Sequence, residues 1–172
     1  MENDVVYVAF TCADGRLCIM QFITNMRRSP NGPSVLREAT DTNILEEFRR
    51  SNQQPVSWRR ISRADLPINR HFREAWKDQG VGNIAHDIEK VKNIAVERCR
   101  RDRDKKLDAL DRDWMKAFGQ GKKPIADSVE EERQKLRDLP AALTADLTSA
   151  QTVEDVLSIC ALKGADVITD HV

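Results

Sequence analysis

Asn83–Phe118 reads NIAHDIEKVKNIAVERCRRDRDKKLDALDRDWMKAF, 36 residues without a glycine or a proline. Ile84, Ile88, Val91, Ala95 and Cys99 recur every three or four residues, the spacing of one helix face. Arg100 to Lys106 then holds no apolar residue, and the stripe resumes at Leu107, Leu110, Trp114 and Phe118. The spacing predicts one long charged helix over 83–118, about 54 Å from end to end at 1.5 Å per residue. Its middle is too polar for a core. That stretch either faces water or is matched by charges on a partner helix.

Downstream, Gly119-Gln120-Gly121-Lys122-Lys123-Pro124 stops the helix. Ile125, Val129 and Leu136 sit in a Glu- and Lys-rich exterior and predict a second helix over 125–138, folded back on the first as a helical hairpin. Leu139-Pro140 is read as its end. Leu143 and Leu147 anchor a connector over 141–150. Thr152-Val153-Glu154-Asp155 fits a capping box and opens a short C-terminal helix over 152–163. Val156, Ile159 and Cys160 form its apolar side, and Gly164 ends it.

Upstream, Val5–Thr11 and Leu17–Thr24 are rich in β-branched and aromatic residues and read as two strands. Asp14-Gly15 between them signals a hairpin. A two-residue loop sets Phe10 against Ile19 and Cys12 against Leu17. A three-residue loop sets Phe10 against Met20 and Cys12 against Cys18, and both registers stand on the sequence. Arg27 to Pro33 reads as an exposed loop. Asp41 or Thr42 caps a helix to about Arg50, with Ile44, Leu45 and Phe48 as its apolar side. Val56–Ile61 alternates as a third strand. The fold class is α+β: an N-terminal ββαβ unit over 1–62, a connector over 63–82 and a helical domain over 83–172. In the connector, Asn69 caps two helical turns on which Phe72 and Trp76 share a face, a hydrophobic clasp onto a neighbouring domain.

Charge and motif content narrow the function. Twenty-eight Lys and Arg balance 28 Asp and Glu, so the net charge is zero although 33% of residues are charged. Basic side chains of the long helix interleave with aspartates, which cancels the field that phosphate binding needs, so no nucleic-acid partner is expected. No apolar run approaches the ~18 residues of a membrane span, so no membrane partner is expected either. Glu2 and Asp4 predict that no secretory leader is present. Asp104, Asp108 and Asp111 share a helix face, but their basic neighbours favour a solvated, ion-paired surface over a metal site. Cys12, Cys18, Cys99 and Cys160 form no C-x-x-C pair, and His71, His86 and His171 lie far from them. No metal or other cofactor is expected. No nucleophile elbow, phosphate loop or dinucleotide fingerprint occurs, and no catalytic residue is assigned. Cys12 and Cys18, flanking the hairpin turn, are the candidates for a disulfide once the protein leaves a reducing cell.

Asp65-Leu66-Pro67 followed by Arg70-His71-Phe72-Arg73-Glu74-Ala75-Trp76 resembles a D-R-x-F-R-x-A-W segment of small proteins from tailed-phage and prophage gene clusters. Leu107–Met115 and Arg133-Gln134-Lys135-Leu136-Arg137-Asp138-Leu139-Pro140 resemble the helical hairpin of phage tail assembly chaperone-like proteins. Thr152–Val156 resembles their short closing helix. The resemblance covers residues 65–160 and leaves the N-terminal unit without a counterpart. Position 69 is Asn where the phage segment often has Asp. The resemblance implies a non-enzymatic protein that acts through protein–protein contacts. Its localisation would be the virion, made in the host cytoplasm, with a place in the neck, tail, baseplate or fibre attachment. A tail or tail-fibre assembly chaperone, confined to the host cytoplasm, is the alternative. The expected partners are other phage structural proteins or further copies of the chain. The expected contact residues are Phe72, Trp76, Leu107, Leu110, Trp114 and Phe118.

Overall fold

The computed structural model describes residues 5–27, 34–36 and 38–168. It is a mixed α+β protein, with a small antiparallel sheet near the N-terminus followed by a helical region. The strands are β1 (Val5–Thr11), β2 (Leu17–Ile23), β3 (Asn25–Arg27), β4 (Ser34–Leu36), β5 (Ser57–Ile61), β6 (Trp76–Lys77) and β7 (Ala85–His86). The helices are α1 (Asp41–Arg50), α2 (Ile88–Gly119), α3 (Lys123–Asp146) and α4 (Val153–Leu162). Packing divides the chain into a sheet unit, Met1–Ile68 with Trp76–Ala85, and a helical unit, Asn69–Ala75 with His86–Val172. The segment expected as a connector is therefore shared between the two. From Arg28 on, the loop expected over 27–33 lies outside the described residues. Arg27 itself ends β3, which pairs with β4.

In the sheet unit the strand order is β2-β1-β5, all antiparallel. Period-two alternation gives β1 two apolar faces. Val8 and Phe10 join Phe22 of β2 under Ile44 and Phe48 of α1. The Phe10 and Phe48 rings meet edge to face at 4.9 Å. Ala9 on the other face packs with Ile61, Leu66, Trp76 and Ile84. Thr40, one residue earlier than expected, caps α1 by accepting the Asn43 amide at 3.2 Å. Arg59 on β5 forks onto Asp78 at 2.8 Å and also donates to the Gly82 carbonyl at 2.8 Å. These bonds tie the 76–85 loop to β5. The Arg59 hydrogen bond holds the Asp78 carboxyl below its usual range.

The hairpin register is neither of those expected. Phe10 faces Cys18 and Val8 faces Met20. The Cys12 amide donates to the Arg16 carbonyl at 2.9 Å, so Ala13-Asp14-Gly15 is the loop. Gly15 sits at φ +78°. A three-residue loop ending in a left-handed glycine is a standard hairpin closure, and it places Cys12 opposite Arg16 rather than Leu17 or Cys18.

The helical unit is built around Phe72, Val91, Ala95, Cys99, Leu143, Leu147, Val156 and Cys160. α2 starts at Ile88, not Asn83, because Asp87 accepts the Lys90 amide at 3.1 Å and caps it there. Ile84 is consequently not part of the helical stripe; it belongs to the sheet unit. The polar middle of α2 is solved within the helix. Arg100 pairs with Glu97 at 2.7 Å and Lys106 with Asp102 at 2.6 Å, one turn apart on the surface.

The two helical turns expected to carry Phe72 and Trp76 on one face are not formed. Asn69 accepts the His71 amide at 3.1 Å in a local turn, and only a single 3₁₀ turn, Arg73–Ala75, follows. Trp76 is already extended, so the two rings share no helical face. Phe72 is fully buried in the helical core, and Trp76 is buried in the sheet core.

α3 does not end at Leu139-Pro140 but runs through Pro140 to Asp146. An interior proline costs about 3 kcal/mol against alanine. Burial of Leu143 and Leu147 on the next turns offsets that, and the Pro140 carbonyl accepts the Thr144 hydroxyl at 2.7 Å. Pro140→Ala restores a helical amide and removes about two buried methylenes, worth ~0.8 kcal/mol each. We expect it to raise stability by about 1 kcal/mol, read as a higher urea midpoint with an unchanged slope.

α4 carries the expected capping box. Asp155 donates its amide to the Thr152 hydroxyl at 3.1 Å, and its carboxylate accepts the Gln151 and Thr152 amides at 3.0 and 2.9 Å. These bonds, that of Gln151 largest, lower the Asp155 pKa from the usual 3.8. A carboxyl depressed on folding stabilises the folded state above its unfolded pKa and stops doing so as pH falls through the folded one. Amide protection over Val156–Cys160 should therefore decline on acidification below the usual carboxylate range. Asp155→Asn should flatten that decline, as read by residue-resolved hydrogen exchange.

Candidate protein-binding site at the hairpin end

α2 and α3 are joined by Gln120-Gly121-Lys122, with Gly121 at φ +68°. Small residues let the helices meet closely at this end: Ala117 and Ala126 are both buried. Behind them the seam is ionic. Arg133 of α3 pairs with Asp111 of α2 at 2.6 Å and with Glu130 on its own helix. Its guanidinium lies 5.7 Å from the Trp114 ring centroid. Arg137 donates to Glu130 at 2.7 Å. That bond first, and the Arg133 charge with it, hold the Glu130 carboxyl below its usual range. Asp104 pairs with Arg103 at 2.7 Å. The aspartates singled out from the sequence are thus engaged by arginines at two of three positions.

Trp114 and Phe118, four residues apart on α2, stack with centroids 4.9 Å apart and planes 11° from parallel. Trp114 is half-buried, whereas Phe118 is 66% exposed. Met115 is 60% exposed and Ile125, at the start of α3, 53%. An open cleft of about 370 Å³ is lined by Trp114, Phe118, Gly121, Lys123, Ala126 and Asp127. An apolar, partly concave end rimmed by charge is suited to receive an apolar side chain from another protein. It presents no activated nucleophile and no paired acid and base.

Of the residues expected to make contacts, the structure brings Trp114 and Phe118 together at this end. Leu107 and Leu110 are half-buried further along α2. Phe72 and Trp76 are core residues and present no binding surface. Met115 and Ile125 were missed. Met115 lies beside Trp114 but outside the stripe, and Ile125 has the spacing of the hairpin's inner face. Cys12 and Cys18 are free thiols whose sulfurs lie 3.6 Å apart. Among the described residues no three His, Cys, Asp or Glu side chains gather as a metal site would require, and no helix is long and apolar enough to cross a membrane. No family model matches the chain, and no curated protein or solved structure matches it either.

Proposed function

We propose that this chain is a non-enzymatic component of a tailed-phage particle that binds a particle protein, or a further copy of itself, through the end of the α2–α3 hairpin. One observation carries the binding role: Met115, Phe118 and Ile125, each more than half exposed, gather at one end of one hairpin beside the Trp114 cleft. Single exposed apolar residues such as Ile68, Val81 and Leu162 are ordinary on a protein surface. Several large ones within eleven positions are not. Burying each contributes about 1.5–3 kcal/mol. The phage assignment rests on the resemblance of residues 65–160. Quantitative mass spectrometry of purified particles tests it. Presence in fixed proportion to the tail proteins supports a built-in component. Absence from the particle, with the chain bound to a tail protein in assembling cells, would replace it by the assembly-chaperone role. Absence from both would remove the phage reading.

A further inference from the structure

We propose that Cys12 and Cys18 form a reversible thiol–disulfide site at the tip of the β1–β2 hairpin, oxidised by exchange with a small disulfide of the glutathione class. The proposal is independent of the hairpin-end binding role. It stands on placement. Cys12 lies opposite Arg16 and Cys18 opposite Phe10, so the two are diagonal neighbours whose side chains share one sheet face. In a flat ladder such a diagonal is about 7–8 Å between Cα atoms, beyond the ~4.4–6.8 Å at which disulfides form. Here the side chains lean together all the same, and the sulfurs lie 3.6 Å apart. Bonding requires them to close to about 2.05 Å. β5 pairs with β1 to its end at Thr11, so Cys12 and the turn lie beyond the three-stranded part of the sheet.

Both thiols are half-buried beside an exposed turn. Cys18 also lines an open cleft of about 480 Å³ with Met20, Phe22, Glu47 and Ser51, which gives a small disulfide a route to it. Cys99 and Cys160 are the internal contrast. Each is 1% exposed, out of reach of a small disulfide; burial raises the Cys18 and Cys160 thiols alike, so the contrast is one of access.

The exchange balances without any other oxidant. One cysteine loses its proton to solvent, and its thiolate attacks a sulfur of glutathione disulfide. One glutathione leaves as thiolate and a mixed disulfide remains. The second cysteine, in contact with that sulfur, loses its proton and displaces the second glutathione. Two thiols become one disulfide, and one glutathione disulfide becomes two glutathione thiols. So short a closed loop adds little stability, and a diagonal placement favours ready reduction. Both features suit a switch better than a staple.

The test equilibrates the full-length protein with mixtures of oxidised and reduced glutathione, quenches it in acid, alkylates it and digests it with trypsin. Cleavage after Arg16 falls between the two cysteines. The expected result is a linked pair of peptides, Met1–Arg16 with Leu17–Arg27, and a fall from four free thiols to two, reversed by dithiothreitol. Cys12→Ser should leave Cys18 with a lasting glutathione adduct and no linked pair, and Cys18→Ala the reverse. The wild-type readout requires neither variant to fold. Lasting glutathione adducts on the wild-type protein, disulfides between chains, or four unreacted thiols would each overturn the proposal.

Discussion

Phe118→Glu should weaken binding of the partner by about 100-fold or more while leaving the fold intact. The side chain is 66% exposed, so folding loses little beyond its stack on Trp114, worth about 0.5–1.5 kcal/mol. Binding loses the buried ring, ~1.5–3 kcal/mol, and gains an unpaired carboxylate in a desolvated contact, a further penalty of a few kcal/mol. Each 1.4 kcal/mol is a factor of ten. Lys116→Ala, two residues away and so on the opposite side of α2, serves as the control and should change binding by less than about threefold. The check is sedimentation or isothermal titration with the particle protein, beside circular dichroism to show that helicity is kept. Equal binding by Phe118→Glu and the parent chain would show that the exposed end is not the contact.

Phe72→Ala should cost about 3–5 kcal/mol, the range for removing a fully buried phenylalanine. The ring is completely enclosed among α2, α3 and α4 residues, and the Arg98 guanidinium lies over it at 5.1 Å. Arg98 donates to the Val167 carbonyl at 2.9 Å, so it is held in place when the ring goes and faces a cavity instead. Hydrogen exchange should show protection lost first in α2 and α4. Phe48→Ala, in the other core, should remove protection first from α1, β1 and β2. A reversed pattern would refute the assignment of Phe72 to the helical core.

These two residues also show what the sequence could and could not reveal. Phe48 was legible because Ile44 and Phe48 are four apart on a helix with ordinary caps, and local spacing decides such a face. Phe72 and Trp76 have the same spacing, but only one 3₁₀ turn separates them, so helical geometry does not apply and each ring enters a different core. Ile84 fits the α2 stripe by spacing alone, yet Asp87 caps the helix three residues later. The Thr152 box and the existence of a stop after Phe118 are local chemistry and were readable, although the stop expected over 119–124 is only Gln120–Lys122, with Gly119 ending α2 and Lys123 and Pro124 opening α3. Pro140 was not, since its place inside α3 is held by distant packing of Leu143 and Leu147. A three-residue loop was among the readings of the sequence, but its position turned on one glycine, whose left-handed backbone ends the loop at Gly15 and sets Cys12 against Arg16. At the candidate site, Trp114 and Phe118 were visible as an uncovered stripe. Met115 and Ile125 were not, because exposure at a hairpin end depends on where the second helix begins.

The most direct test of the hairpin-end contact is site-specific photocrosslinking in cells assembling the particle. A photoreactive amino acid replaces Phe118, and in a parallel chain it replaces Val81, an exposed apolar residue of the sheet unit. A contact at the hairpin end gives one discrete adduct from position 118, containing a particle protein or a second copy of the chain, and none from position 81. An adduct pattern that is the same at both positions, or that arises at 81 and not at 118, would contradict it.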